Sequence, residues 1–154
     1  MLFRSEGTLS LATDPGYPVY TGGPLLAGAQ AHPLPLLAAN GFQPDLEAVP
    51  AAAAARARLL VCGYPNNPTG AIAAPGLFAR LGAFAERHDL VLCHDHAYAE
   101  IAFGEAQTPS ALADPAFRAR GIEILSLSKT FSVPGWRIAF AVGAPEVIAE
   151  LRRL

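Results

Sequence analysis

A lysine closes the run Ser126-Leu127-Ser128-Lys129 at the end of an apolar stretch, and an arginine, Arg137, stands eight residues later. An amine at the rim of an apolar sheet loses charge by desolvation and becomes a nucleophile. Two hydroxyls and a guanidinium make a cradle for a phosphate, because the arginine fork donates two parallel hydrogen bonds. Asp95 follows the apolar residues 90–94 and offers a carboxylate to a protonated ring nitrogen. Tyr98, three residues on, can bring a phenol to the same pocket. Tyr64-Pro65-Asn66-Asn67-Pro68-Thr69-Gly70 is a turn with an amide to offer. His94 and His96 flank Asp95, and strand alternation sends both away from the face that Asp95 uses. The His-x-His pair raises a metal reading, but no third ligand is evident and the flanks are apolar, so no metal is expected. Taken singly, each of these residues also fits a surface lysine, a salt bridge, a half-buried aromatic ring or a plain turn.

These groups need elements to position them. Residues 59–63, 90–94, 122–127 and 137–143 read as buried strands, with Ser126 and Ser128 on the same side of the third by alternation. Residues 75–88 read as an amphipathic helix with Pro75 in its first turn and Leu77, Leu81, Phe84 and Ala85 on one face. The alanine run between Pro50 and Arg58 predicts helix, as do residues 145–154, and residues 14–20 read as a turn. Continuous apolar strands separated by helices predict an α/β fold, a parallel sheet covered on both faces. Such sheets carry ligands at the carboxyl ends of their strands, where the polar motifs fall.

Composition narrows the class. The 154 residues are 52% hydrophobic and 16% charged, enough to bury a core. A net charge of −2 gives no electrostatic case for nucleic acid or an anionic membrane. Cys62 and Cys93 sit in apolar runs as reduced core thiols, with no zinc-binding spacing. Neither a signal peptide nor an uncharged run of about 20 apolar residues is visible, so a cytoplasmic location is expected. The last residues lie inside what reads as a helix begun at Pro145, and a fragment is expected.

Three ordered motifs, YPNNPTG, the DHAYAEI run from Asp95 to Ile101 and the SLSKTFSVPGWRIAFAVG run, together resemble the class I/II, fold-type I aminotransferases, which use pyridoxal 5'-phosphate (PLP). The wording is closest to the LL-diaminopimelate and alanine or aspartate aminotransferase-like branches. The resemblance implies a partial PLP-binding large domain over residues 1–154, without its N-terminal segment and C-terminal small domain, and with residues 137–143 antiparallel. It implies that Lys129 forms the Schiff base and shuttles the proton, and that Asp95 pairs with the pyridinium nitrogen. It gives Asn67 and Tyr98 to the ring's 3′ oxygen, Ser126, Ser128 and Arg137 to the phosphate, and Tyr17 to stacking on the ring. It also implies a cis Asn67–Pro68 bond. Ala139 replaces a usual glycine, the loop at residues 132–134 departs from the commoner form, and only Ser5-Glu6-Gly7 is similar to the family's glycine-rich phosphate loop. The implied activity is amino-group transfer between an amino acid and a 2-oxo acid, both small molecules, in a homodimer. A truncated inactive remnant, a non-enzymatic PLP-binding module and a PLP β-lyase would keep the same cofactor contacts. An incomplete domain should also expose apolar surface.

Overall fold

The computed structural model describes residues 7–153, so Ser5 and Glu6 of the faint phosphate-loop candidate lie outside the described residues. In chain order the elements are strand β1 (Leu9–Asp14), helix α1 (Val19–Leu26), β2 (Gln30–Pro35), α2 (Ala51–Arg56), β3 (Ala57–Gly63) and α3 (Leu77–His88). They continue with β4 (Val91–Asp95), α4 (Pro115–Arg118), β5 (Gly121–Ser126), the single turn α5 (Leu127–Thr130), β6 (Ala139–Gly143) and α6 (Pro145–Leu151). One six-stranded sheet runs in the order β2-β1-β3-β4-β5-β6. The first five strands are mutually parallel, and β6 joins β5 antiparallel.

Helices cover both faces, as expected. On one face Leu11, Leu60, Cys62 and Leu92 pack with Ala53 and Ala54 of α2, Leu77, Leu81 and Phe84 of α3, and Phe117 of α4. Each large apolar side chain buried there contributes about 1.5–3 kcal/mol. On the other face a thinner cluster joins Ala12 and Val61 to Tyr20 of α1.

Several boundaries differ from the sequence reading. β1 is absent from that reading because Ser10 and Thr13 interrupt its apolar run, although both are buried. β2 carries Pro33 and Pro35, which an edge strand tolerates since it has an unpaired side. The turn expected over residues 14–20 ends at Pro18, where α1 begins. α3 starts at Leu77, not at Pro75, because Gly76 caps it with φ 75°. β5 ends at Ser126, so Ser128 lies in a helical turn and the alternation argument for the two serines does not hold. β6 starts at Ala139, two residues beyond Arg137. The expected apolar surface is present: Phe140 and Val142 are exposed along β6, with Phe131, Trp136 and Ile138 just before it. Among the described residues no helix is long and apolar enough to cross a membrane.

Gly82 sets the spacing of α3 and α4. A Cβ there would lie 2.6 Å from the Ala116 Cβ and 2.7 Å from the Phe117 nitrogen. Glycine to alanine in a helix ordinarily gains about 1 kcal/mol. Here overpacking reverses the sign, and Gly82→Ala is expected to cost about 1–3 kcal/mol. A urea midpoint raised by this substitution would show that the two helices do not meet at this glycine.

Candidate active site

Asp95 is the last residue of β4 and is half-buried. Its Oδ2 accepts a hydrogen bond from the Tyr20 hydroxyl at 2.9 Å, and its Oδ1 accepts one from the Ala97 backbone N–H at 3.2 Å. Tyr20, at the start of α1, reaches Asp95 across β3. Gly63, the register partner of Asp95, leaves the room, since a Cβ there would collide with the Tyr20 hydroxyl. Burial, reinforced by the neighbouring Asp95 carboxylate, pushes the Tyr20 phenol well above its ordinary range. It therefore stays a donor to Asp95 at any working pH.

This pair ends a groove of about 320 Å³ whose walls include Tyr17, Tyr20, Val61, Cys93, Asp95 and Ile124. That size suits a small cofactor, and apolar walls with one fixed carboxylate are the usual form of such a site. Tyr17 is 47% exposed and meets Tyr20 edge to face, with centroids 6.2 Å apart. Burial, with a further push from Asp95, raises the Cys93 thiol to about 12, so it lines the wall as a neutral group.

The remaining expected residues lie at the end of β5, for Ser126, or on connections leaving the same sheet edge, where Gly63, Asp95 and Ile124 stand in register on β3, β4 and β5. None of them lines the groove. Asn67 is exposed in a turn whose Tyr64–Pro65 and Asn67–Pro68 bonds are both cis, the second as expected. Its neighbour Asn66 is buried and ties the turn together. Asn66 Nδ2 donates to the Pro15 carbonyl at 3.3 Å, and its Oδ1 accepts from the Thr69 hydroxyl at 2.7 Å. Tyr98 is half-buried in the turn after β4. Ser126 caps α5, its Oγ accepting from the Ser128 N–H at 3.2 Å. Lys129 is exposed, so these residues supply the amine without the desolvation expected of it. Arg137 is exposed with φ 54° and donates to the Pro134 carbonyl at 3.0 Å. The structure thus unites Tyr17 and Asp95 directly, adds Tyr20 and Gly63, and arranges the others around one edge. The signal for Tyr20 was its place three residues after Tyr17, beside Asp95's strand only once β1 and α1 are known.

On the opposite face, His94 and His96 meet Glu123 of β5, which supplies the third group the sequence reading did not find. The His94 Nδ1 is 3.0 Å from Glu123 Oε2 and the His96 Nδ1 is 3.2 Å from Oε1. Ala111 donates its N–H to Oε2 at 2.7 Å, and the Ser110 hydroxyl reaches both oxygens at 3.0 and 3.1 Å. Burial opposes charge on Glu123, yet the hydrogen bonds from His94 and the Ala111 N–H, with the His96 ring close by, outweigh it and hold the carboxyl well below its usual range. Burial lowers the His94 imidazole, against the pull of Glu123.

A sheet of this topology, with a fixed carboxylate at a carboxyl strand end and a lysine after the next strand, defines a cofactor-binding α/β domain. All 154 residues match the model of the aminotransferase class I and II family, and the chain belongs to that family. These are PLP-dependent enzymes. The chain is 49% identical over 152 residues to an LL-diaminopimelate aminotransferase of Desulforudis audaxviator, covering 99% of itself and 39% of that protein. It is 47% identical over 154 residues to the enzyme of the same name from Moorella thermoacetica, covering all of itself and 40% of that protein. It thus spans about two fifths of these curated relatives. Among solved structures, a probable N-succinyldiaminopimelate aminotransferase from Thermus thermophilus matches with a TM-score of 0.90 at 36% identity, over 99% of this chain and 40% of that one. Substrate-bound BacF from Bacillus subtilis matches with a TM-score of 0.91 at 39% identity, over 96% of this chain and 37% of that one.

Two outcomes follow from the geometry. Tyr20→Phe removes a donor from a charged acceptor and should cost about 1 kcal/mol or more, read as a lower urea midpoint; an unchanged midpoint would show that the bond contributes nothing. The unfolded chain takes up a proton on His94 near the ordinary value of 6.5, which the folded chain resists. Stability is therefore full above about pH 6.5 and falls as pH drops through it, with a second loss below the ordinary glutamate value of 4.5 as Glu123 is protonated in the unfolded state first. Denaturation midpoints flat between about pH 7.5 and pH 4 would contradict this linkage.

Proposed function

We propose that this chain supplies the cofactor-holding and proton-moving groups of an enzyme that transfers an amino group between an amino acid and a 2-oxo acid, with Lys129 as the point of covalent attachment. The observation that carries it is the Asp95 carboxylate, fixed from two sides at the mouth of an apolar groove. The donor set fits PLP: a flat ring with a basic nitrogen suits the groove, and hydroxyls with an arginine beside it suit a phosphate. When bound, PLP supplies an electron sink for the pair of electrons left as the substrate's alpha proton departs.

The chain's own residues do the rest. Asp95 keeps a ring nitrogen positively charged, and Tyr20 with the Ala97 N–H keeps Asp95 aimed. Tyr17 stacks against the ring, while Asn67 and Tyr98 hydrogen-bond its oxygen. Ser126, Ser128 and Arg137 hold the phosphate. The Lys129 amine would take the proton from the substrate's alpha carbon, hold it as an ammonium and give it back to carbon as the amino group is transferred. We read residues 1–154 as part of the large domain of a cytoplasmic homodimer. The names of the relatives make diaminopimelate the first amino donor to test.

Incubation with PLP, borohydride reduction and peptide mapping should place the label on Lys129, and Lys129→Ala should take none. Label on another residue of the wild-type chain would overturn the assignment. Asp95→Ala should keep part of the cofactor binding but slow exchange of an amino acid's alpha proton by at least about a hundredfold. Equal exchange rates would remove Asp95 from the electron-sink role, and release of ammonia with pyruvate in place of amino transfer would favour a β-lyase.

A further inference from the structure

We propose that His94, His96 and Glu123 form a binding site for a transition-metal dication of the zinc type, on the face of the sheet opposite Asp95. The site is separate from the proposed PLP chemistry and does not depend on it. His94 lies on β4 and His96 one residue past its end, with ring centroids 4.7 Å apart on the same face, and Glu123 is the register partner of His94 on β5. Among the described residues these three form the cluster whose ligand atoms lie within 4.8 Å of one another, and all three are buried. Two imidazoles and a carboxylate are a donor set that zinc takes readily, leaving one position open.

The groups are close enough to converge on one ion. Ligand bonds of about 2.0–2.2 Å around a tetrahedral ion put its ligand atoms about 3.3–3.5 Å apart. The histidine nitrogens here lie 3.0 and 3.2 Å from the two Glu123 oxygens, and the three ligand atoms lie within 4.8 Å of one another, so small side-chain rotations gather them around an ion.

His96 points to a missing partner. It is 4% exposed, yet neither ring nitrogen has a hydrogen bond; its Nδ1 is near Glu123 Oε1 without the alignment of one. A buried imidazole without partners is costly, and a cation between it and Glu123 would satisfy it. The histidine also lines a cavity of about 470 Å³ with Glu123, Ser110 and Thr108, which gives a water or small ligand access to the open position.

His94 can change its role without losing its other bond. Its Nε2 faces both the N–H of Tyr64 at 3.3 Å and the carbonyl of Tyr64 at 3.1 Å. In the metal-free form Nδ1 carries the proton toward Glu123, and Nε2 accepts from the Tyr64 N–H. With an ion present the neutral ring carries its proton on Nε2, donates to the Tyr64 carbonyl and gives its Nδ1 lone pair to the metal. That carbonyl contact is the outer support usual for a ligating histidine. Glu123 is supported too, by the Ala111 N–H and the Ser110 hydroxyl.

Isothermal titration of the purified, chelator-treated chain with zinc chloride tests this. One zinc per chain is expected, with a rise in the thermal midpoint. Losing an outer support weakens metal sites about 10–100-fold, so losing a ligand in His96→Ala or Glu123→Gln should weaken binding by more than about a hundredfold. His96→Ala decides the matter if Glu123→Gln does not fold, because the His96 side chain holds no hydrogen bond whose loss would disturb the sheet, and its backbone bonds remain. Lys129→Ala should bind zinc like the wild type, which separates this site from the cofactor assignment. No stoichiometric binding, or binding of equal strength by His96→Ala, would overturn the proposal.

Discussion

The in-register parallel pairing of β3, β4 and β5 places Gly63, Asp95 and Ile124 side by side at one edge. Everything chemical in the chain depends on that alignment. Strand side chains alternate, so Asp95 faces α1 and its groove while His94 and His96 face Glu123. A slip of one residue would exchange the two faces, putting the carboxylate into the apolar core and the imidazoles into the groove. The register is held from both sides. Leu60, Cys62 and Leu92 are buried under α2, α3 and α4, and Tyr20 crosses Gly63 to reach Asp95. The glycine is therefore part of the site although it carries no functional atom.

The two carboxylates are treated differently, and the difference follows from where each sits. Glu123 is 3% exposed in a site that would be costly for an unpaired charge. It is accordingly met by an imidazole, a backbone N–H and a hydroxyl, and such a network, once one partner is removed, leaves an uncompensated buried charge. Asp95 is half-buried at the end of its strand, and the protein meets it with only a hydroxyl and a backbone N–H. The covering of its face is thin, Tyr20 of α1 packing there on Ala12 and Val61, and the groove beside it stays open.

Much of this was legible in the residues. β3, β4, β5 and β6 announce themselves as apolar runs, α3 as a periodic stripe, and Asp95 and Lys129 as polar residues just past strand ends. Long-range pairings were not legible. The partner of His94 and His96 is 27 residues or more along the chain, and only the β4–β5 register reveals it. Tyr20 was hidden because β1 carries Ser10 and Thr13 in place of apolar residues, and without β1 nothing fixes α1 over β3. The extension of β5 through Leu127 failed for a local reason. The Ser126 hydroxyl caps the next turn and competes with strand geometry, a habit of serine that apolar periodicity does not register.

The acceptor capacity of each carboxylate indicates what more it can hold. An ionised carboxylate has about four lone-pair sites. Asp95 spends one on the Tyr20 hydroxyl and one on the Ala97 N–H, which fixes its plane and leaves capacity toward the groove. A cationic N–H arriving there meets an acceptor already oriented, so little ordering remains to be done on binding. Glu123 spends three sites on His94, Ala111 and Ser110, and its remaining capacity on Oε1 faces the unpartnered ring of His96. One carboxylate is thus prepared for a flat cation on the open side of the sheet. The other, enclosed by two imidazoles, is prepared for a small and strongly coordinating one.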